Sequence, residues 1–162
     1  MKCDAKTFAK MYGNVCCDMY RFALCMMSNQ HDAEDAVSEA VMHAYGNISS
    51  LKKEDAFKSW IFTILANVCK KKLKNRSKRR GIEVRESFGW ESSSWTETDY
   101  GLAVDVRKAF SILSEEEQAI VGLSVFGGYT SSEIGRMMHL NANTVRSRRS
   151  RALEKMSMIL EG

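Results

Sequence analysis

The chain contains no proline and no apolar run long enough to cross a membrane. With no proline in 162 residues to stop a helix, the composition predicts an all-α chain. The longest apolar stretch, Trp60–Cys69, is interrupted by Thr63 and Asn67. It falls short of the ~18 residues that a span needs. Met1-Lys2-Cys3-Asp4 has no apolar core behind it. A secretory signal and direct membrane insertion are therefore not expected, and the expected location is cytoplasmic. The five cysteines, Cys3, Cys16, Cys17, Cys25 and Cys69, are odd in number and lack a C-x-x-C pair. That argues against a disulfide framework or a zinc ribbon and predicts reduced thiols. His31, His43 and His139 are scattered, so no metal site is expected. With no nucleophile–base pair and no glycine-rich phosphate loop, neither enzymatic chemistry nor a cofactor is expected.

What is present is unevenly placed charge. The net charge is +4, yet residues 70–80 carry eight basic and no acidic side chains. Residues 81–105 carry one basic and six acidic side chains. A dense cationic block suggests a polyanion partner. Residues 81–101 also lose helical periodicity, with Gly81, Gly89, Ser92-Ser93-Ser94 and Gly101 marking a linker. Phe88, Trp90, Trp95 and Tyr100 sit within it, more rings than a passive spacer uses. Two small helical domains joined by this acidic linker are expected, with the linker setting their relative placement.

Apolar spacing predicts a first helix from Thr7 to Met27 and a second opened by Asp32 as N-cap and closed at Gly46. The second has a small-residue face of Ala33, Ala36, Val37, Ala40, Val41 and Ala44. Opposite lie Asp32, Asp35, Glu39 and Met42, a negative face that suits a basic partner helix. A third helix starts near Glu54 or Asp55 and continues to Arg80. Its predicted core face is Phe57, Ile61, Ile64, Leu65 and Val68. Trp60, Asn67, Lys71, Lys74 and Lys78 align along one flank. A ring to stack a base, an amide to read its edge and lysines to track phosphates are what a single DNA strand needs.

Beyond the linker, Leu102, Val106, Ala109, Phe110 and Leu113 fall at helical spacing. Ser114–Glu117 and Thr130–Glu133 are capping boxes. The second opens a short helix through Met138, followed by a turn at His139-Leu140-Asn141. A long basic helix capped by Asn141 then runs to about Leu160. Short helix, turn and basic helix make a helix-turn-helix signature, with Gly135 at the close approach. At about 100° per residue, Val145, Ala152, Met156 and Ile159 face the core. Asn143, Ser147, Ser150 and Arg151 face outward to a major groove, with Arg146 and Arg148 on the flanks. Thr144 sits in the first turn, where a phosphate can meet hydroxyl and backbone N–H. Arginine suits this role because its fork matches guanine edges and phosphate oxygens.

Three segments together resemble a known family. They are Asp32-Ala33-Glu34-Asp35-Ala36-Val37-Ser38-Glu39-Ala40, Phe57-x-x-Trp60-Ile61-Phe62-x-Ile64-Leu65-Ala66-Asn67, and Asn143-Thr144-Val145-Arg146-Ser147-Arg148. The chain resembles an extracytoplasmic-function (ECF) sigma factor of bacterial RNA polymerase. The resemblance implies a polymerase-clamp and −10 domain over residues 1–80, the acidic linker over 81–101, and a −35 helix-turn-helix domain over 102–162. It implies that Asp32, Asp35, Ser38, Glu39 and Met42 meet core RNA polymerase. Trp60, Asn67, Lys71, Lys74 and Lys78 would take the melted −10 strand. The last helix would read −35 duplex, with Arg146, Ser147 and Arg151 foremost at the bases. The linker would thread toward the polymerase active-site cleft. An anti-sigma protein is the implied inhibitor.

Three positions depart from the family pattern. Ser38 replaces a glutamine, His139 takes a turn position usually given to glycine, and Arg149 stands where an apolar residue is usual. Arg149 is expected to reach phosphate or a carboxylate. A stand-alone helix-turn-helix regulator would account for the last helix but leave the second helix and the Trp60–Lys78 stripe without a role. A structural adaptor whose basic block binds RNA or an acidic protein would need no ordered contacts from the last helix.

Overall fold

A computed structural model of the chain describes residues 4–80 and 104–161. Cys3, Leu102 and the linker rings Phe88, Trp90, Trp95 and Tyr100 lie outside the described residues. Among those described are eight α-helices, two single 3-10 turns and no strand, as the missing prolines suggest.

The predicted first helix is two helices. α1 runs Ala5–Gly13 and α2 runs Cys16–Met27. Gly13 is a poor helix former, and the Asn14 N–H folds back onto the carbonyls of Met11 and Tyr12. Val15, at φ −121° and ψ −7°, leaves the helical basin. The apolar stripe runs through this break, since Phe8, Met11, Val15, Met19 and Phe22 are all buried. Periodicity alone therefore passes over it.

α2 ends at Ser28 in a left-handed conformation, φ 67°. α3 (Gln30–Gly46) is capped by Asn29 rather than Asp32. The Asp32 N–H donates to Asn29 Oδ1 at 2.8 Å, which makes Asp32 a first-turn residue whose charge suits the helix N-terminus. The small face of α3 is buried as expected, save Val41, which is half-buried. A 3-10 turn at Ile48–Ser50 lies in the following loop, and another at Glu54–Ala56 leads into α4 (Phe57–Arg80).

In the second half, α5 (Val104–Ser111) precedes α6 (Glu115–Val125). α7 (Ser131–Met138) and α8 (Ala142–Glu161) follow. α2, α3 and α4 pack together as one bundle, while α8 packs on α5, α6 and α7.

The two bundles share one core, because α2 also packs on α5 and α6, and α4 on α6. Phe22 and Phe62 meet edge to face with centroids 6.0 Å apart, and Tyr129 adds a third ring 5.8 Å from Phe62. Gly122 makes this approach possible, since a Cβ there would stand 2.5 Å from Phe22 Cδ1. A second cluster joins Cys25 of α2 to Ala109, Phe110, Leu113, Val121, Ala152 and Met156. Packing of aromatic and aliphatic side chains thus places the two domains, an arrangement the sequence left undetermined because it was ascribed to the linker.

The sharing of the core also moves the buried face of α4. Phe57, Ile61 and Leu65 are buried as predicted, but Ile64 and Val68 are only half-buried, while Phe62 and Cys69 are fully buried. α4 is enclosed by α2 and α3 on one side and by α6 and Tyr129 on another, so its apolar arc is wider than one stripe. In α8, Val145, Ala152 and Met156 are buried, but Ile159 is 44% exposed. The helix outruns the domain after Met156.

Candidate nucleic-acid interface

The helix-turn-helix is built from local hydrogen bonds. Both capping boxes form, with Glu117 N–H on Ser114 Oγ and Glu133 N–H on Thr130 Oγ1, each at 3.2 Å. The return bonds, from the Ser114 and Thr130 N–H groups to the two glutamates, are 2.9 Å. Those backbone donors hold both carboxyls below the usual glutamate range. α7 closes at His139, whose φ of 60° is the left-handed turn expected there. Gly135 lets the turn come close, because a Cβ would lie 2.6 Å from the Leu140 carbonyl oxygen. Asn141 then caps α8 by accepting from the Asn143 N–H at 2.8 Å.

On α8, Asn143, Arg146, Ser147, Ser150 and Arg151 are all exposed, and Thr144 is half-buried. Arg146 donates to Asn143 Oδ1 at 2.6 Å and Arg151 to Ser147 Oγ at 3.3 Å. These pairs run along the helix and hold the arginine forks over the outward face. Arg148 is ion-paired with Glu116 of α6, which fixes it at the edge of that face. Arg149 is half-buried and reaches Ser124 Oγ at 3.5 Å. Within the chain its partner is a hydroxyl and not a carboxylate.

On α4, Asn67, Lys71 and Lys74 are exposed and line up with Trp60. Trp60 is half-buried and leans on Phe57, centroids 6.1 Å apart. The Lys78 side chain lies outside the described residues. Asn67 and Lys70 also edge a cavity of about 250 Å³ closed on the far side by Met137, Met138 and His139.

On α3, Asp35, Ser38, Glu39 and Met42 are exposed, Met42 to 75%. Asp32 and Glu39 are turned toward α4: Arg76 meets Asp32 Oδ2 at 2.7 Å and Lys72 meets Glu39 Oε1 at 3.3 Å. Sequence reasoning assigned no separate role to Lys72 and Arg76 within the cationic block. Their i, i+4 spacing, set against Asp32 and Glu39 two turns apart, was the available signal. His31, Asp32 and Asp35 bring ligand-type atoms within 4.8 Å of one another. The Asp32 oxygen is already taken by Arg76 and Asn29, so the group reads as an ion-pair cluster.

Comparison with known proteins meets this geometry on both halves. The Sigma-70 region 2 family matches residues 17–79, and the Sigma-70, region 4 family matches residues 103–156. RNA polymerase sigma factor SigV of Bacillus subtilis is 29% identical over 143 residues, which is 88% of this chain and 84% of the relative. ECF RNA polymerase sigma factor SigM of Mycobacterium tuberculosis is 24% identical over 158 residues, 97% of this chain and 79% of the relative. The sigma factor RpoE of Bartonella quintana, solved in complex with the anti-sigma factor NepR, has the same fold. The TM-score is 0.78 at 23% identity, covering 97% of this chain and 98% of that one. With both sigma regions in order on two helical bundles and a capped helix-turn-helix at the second, the chain belongs to the extracytoplasmic-function sigma factors of RNA polymerase.

Proposed function

We propose that this sigma factor divides its work among three faces. In this reading α3 docks on core RNA polymerase through Asp35, Ser38, Glu39 and Met42, with Asp32 at the margin. The α4 stripe of Trp60, Asn67, Lys71, Lys74 and Lys78 captures the melted −10 strand. Asn143, Thr144, Arg146, Ser147, Arg148, Ser150 and Arg151 read −35 duplex. Residues 1–80 and 102–162 are the two working domains, joined by residues 81–101. The chain supplies no catalytic group, acts in the cytoplasm, and is restrained by an anti-sigma protein of its own.

The observation that carries this reading is the outward face of α8, with Asn143, Arg146, Ser147, Ser150 and Arg151 exposed together on a capped helix-turn-helix. The forks of Arg146 and Arg151 lie on the exposed face, held by Asn143 and Ser147, where they can meet base edges, each contact worth ~1–3 kcal/mol of discrimination. Capture of unstacked bases on α4 then shifts the duplex toward its open form by mass action. Run-off transcription with purified core polymerase and a promoter library tests the whole. Start sites absent from core polymerase alone are expected; none above that background overturns the proposal.

A further inference from the structure

α4 outruns its own core. Among the described residues Cys69 is its last fully buried one, and beyond it only Leu73 packs against the apolar cluster, half-buried. Lys70, Lys71, Lys72, Lys74 and Arg76 crowd this extension. Like charges four apart, Lys70 with Lys74 and Lys72 with Arg76, destabilise a helix. A helix end with few packing partners and strong self-repulsion frays unless something holds it.

Arg76 supplies a tether. Its Nη2 donates to Asp32 Oδ2 at 2.7 Å and to the carbonyl oxygen of Met27 at 3.2 Å. Met27 is the last residue of α2, where carbonyls lack helical partners, and Asp32 lies in the first turn of α3. Asn29 completes the junction by donating to the same Asp32 oxygen at 2.9 Å. One guanidinium thus joins the end of α2, the start of α3 and the basic arm of α4. A turn earlier, Lys72 meets Glu39 of α3 at 3.3 Å. The Arg76 side chain is 23% exposed, whereas Lys71 and Lys74 point into solvent.

We infer that Arg76, supported by Lys72, is a positioning residue and not a phosphate contact. It clamps the strand-reading helix to the helix proposed to dock on polymerase, so that Lys71 and Lys74 meet DNA at a fixed offset from the docking face. The cationic block therefore has two jobs, with one side neutralising α3 and the other facing the nucleic acid. The assignment of the outer side rests on the proposed function above; the junction itself does not.

Two measurements separate these parts. Amide hydrogen exchange on the full-length free chain reads the junction without polymerase or DNA. Arg76→Ala and Asp32→Ala are each expected to speed exchange across residues 70–76 by about tenfold, the effect of losing one charge-assisted hydrogen bond. Lys74→Ala, which relieves repulsion with Lys70 and breaks no bond of the junction, should not speed it. Equal exchange in wild type and Arg76→Ala overturns the clamp. The second measurement is the salt dependence of holoenzyme binding to a pre-melted bubble template carrying a promoter selected by run-off. Each phosphate contact removed lowers the slope of log affinity against log salt by roughly 0.7. Lys71→Ala and Lys74→Ala are expected to lower it, while Arg76→Ala weakens binding at an unchanged slope. A slope lowered by Arg76→Ala makes Arg76 a phosphate contact and refutes the inference. If run-off yields no promoter, the functional reading fails while the exchange experiment still decides the junction.

Discussion

Replacing Tyr129 by Phe should stabilise this protein, an unusual direction for a core substitution. Tyr129 is 9% exposed, its ring packs edge to face on the fully buried Phe62, and its buried hydroxyl has no hydrogen-bond partner among the described residues. A buried polar group left unsatisfied costs about 1–3 kcal/mol, whereas the ring contact survives in Phe. Tyr129→Phe is therefore expected to gain about 1–2 kcal/mol. For a chain of this size that raises the midpoint of thermal unfolding by roughly 2–6 °C. The pH dependence gives an independent check. Burial first, and then the negative charge of Glu133, push the Tyr129 hydroxyl above its ordinary value of 10.0. Its folded-state ionisation is thus raised. The associated stability is complete below the unfolded value near 10 and is lost as pH climbs toward the folded one, because only the unfolded chain ionises there. Wild type should lose stability above pH ~10 faster than Tyr129→Phe, since the remaining tyrosines are common to both. Urea denaturation followed by far-ultraviolet circular dichroism at pH 8 and again above pH 10 measures both effects. A variant no more stable than wild type at pH 8, or a gap that fails to widen in alkali, refutes the reasoning.

Three further outcomes follow from the same contacts. Gly122→Val places side-chain atoms where Phe22 now lies, an overpacking worth about 1–3 kcal/mol, and should strain the contact between the two bundles without parting them. The midpoint of urea unfolding is expected to fall accordingly, and an unchanged midpoint counts against close packing at Gly122. Arg151→Ala should weaken holoenzyme binding to a selected −35 duplex by ~1–3 kcal/mol, while Lys6→Ala leaves it unaltered. Equal losses at the two positions would sink the assignment of the α8 face. Burial pushes the Cys25 and Cys69 thiols up to about 12, so neither should be alkylated in the folded protein at pH 8, whereas exposed Cys17 should be. Mass spectrometry before and after unfolding checks this, and early labelling of Cys25 would mean that the contact between the bundles opens readily.

Much of the fold was legible because its signals are local. Capping boxes at Ser114 and Thr130 form as their spacing predicts, the left-handed turn falls on His139, and Asn141 caps α8. The outward face of α8 follows from helical geometry alone, since its side chains need no distant partner. What escaped were features set by tertiary contact. The break at Asn14 leaves the apolar stripe intact, so the periodicity carries no trace of it. The N-cap of α3 moved from Asp32 to Asn29 because both residue types cap well, and the choice falls to the geometry of the preceding turn. The burial of Phe62 and Cys69, and the exposure of Ile159, depend on where a second bundle packs and where it ends.

The contact between the bundles determines how the three outward faces relate. Phe22, Phe62, Ile120 and Leu123 are fully buried where the bundles meet, and exposing a side chain of this kind costs ~1.5–3 kcal/mol. Even partial exposure of four such groups outweighs the slow, logarithmic entropy change that a connection of about twenty residues can contribute. The spacing between the α4 stripe and the α8 face in the free chain is therefore a property of the core. Neither face is hidden by it: Asn67, Lys71, Lys74, Arg146 and Arg151 all remain exposed while the bundles are together. Any rearrangement of the domains on a promoter must then be driven by a partner surface that covers those apolar side chains, because the charged faces do not need the bundles apart to be reached.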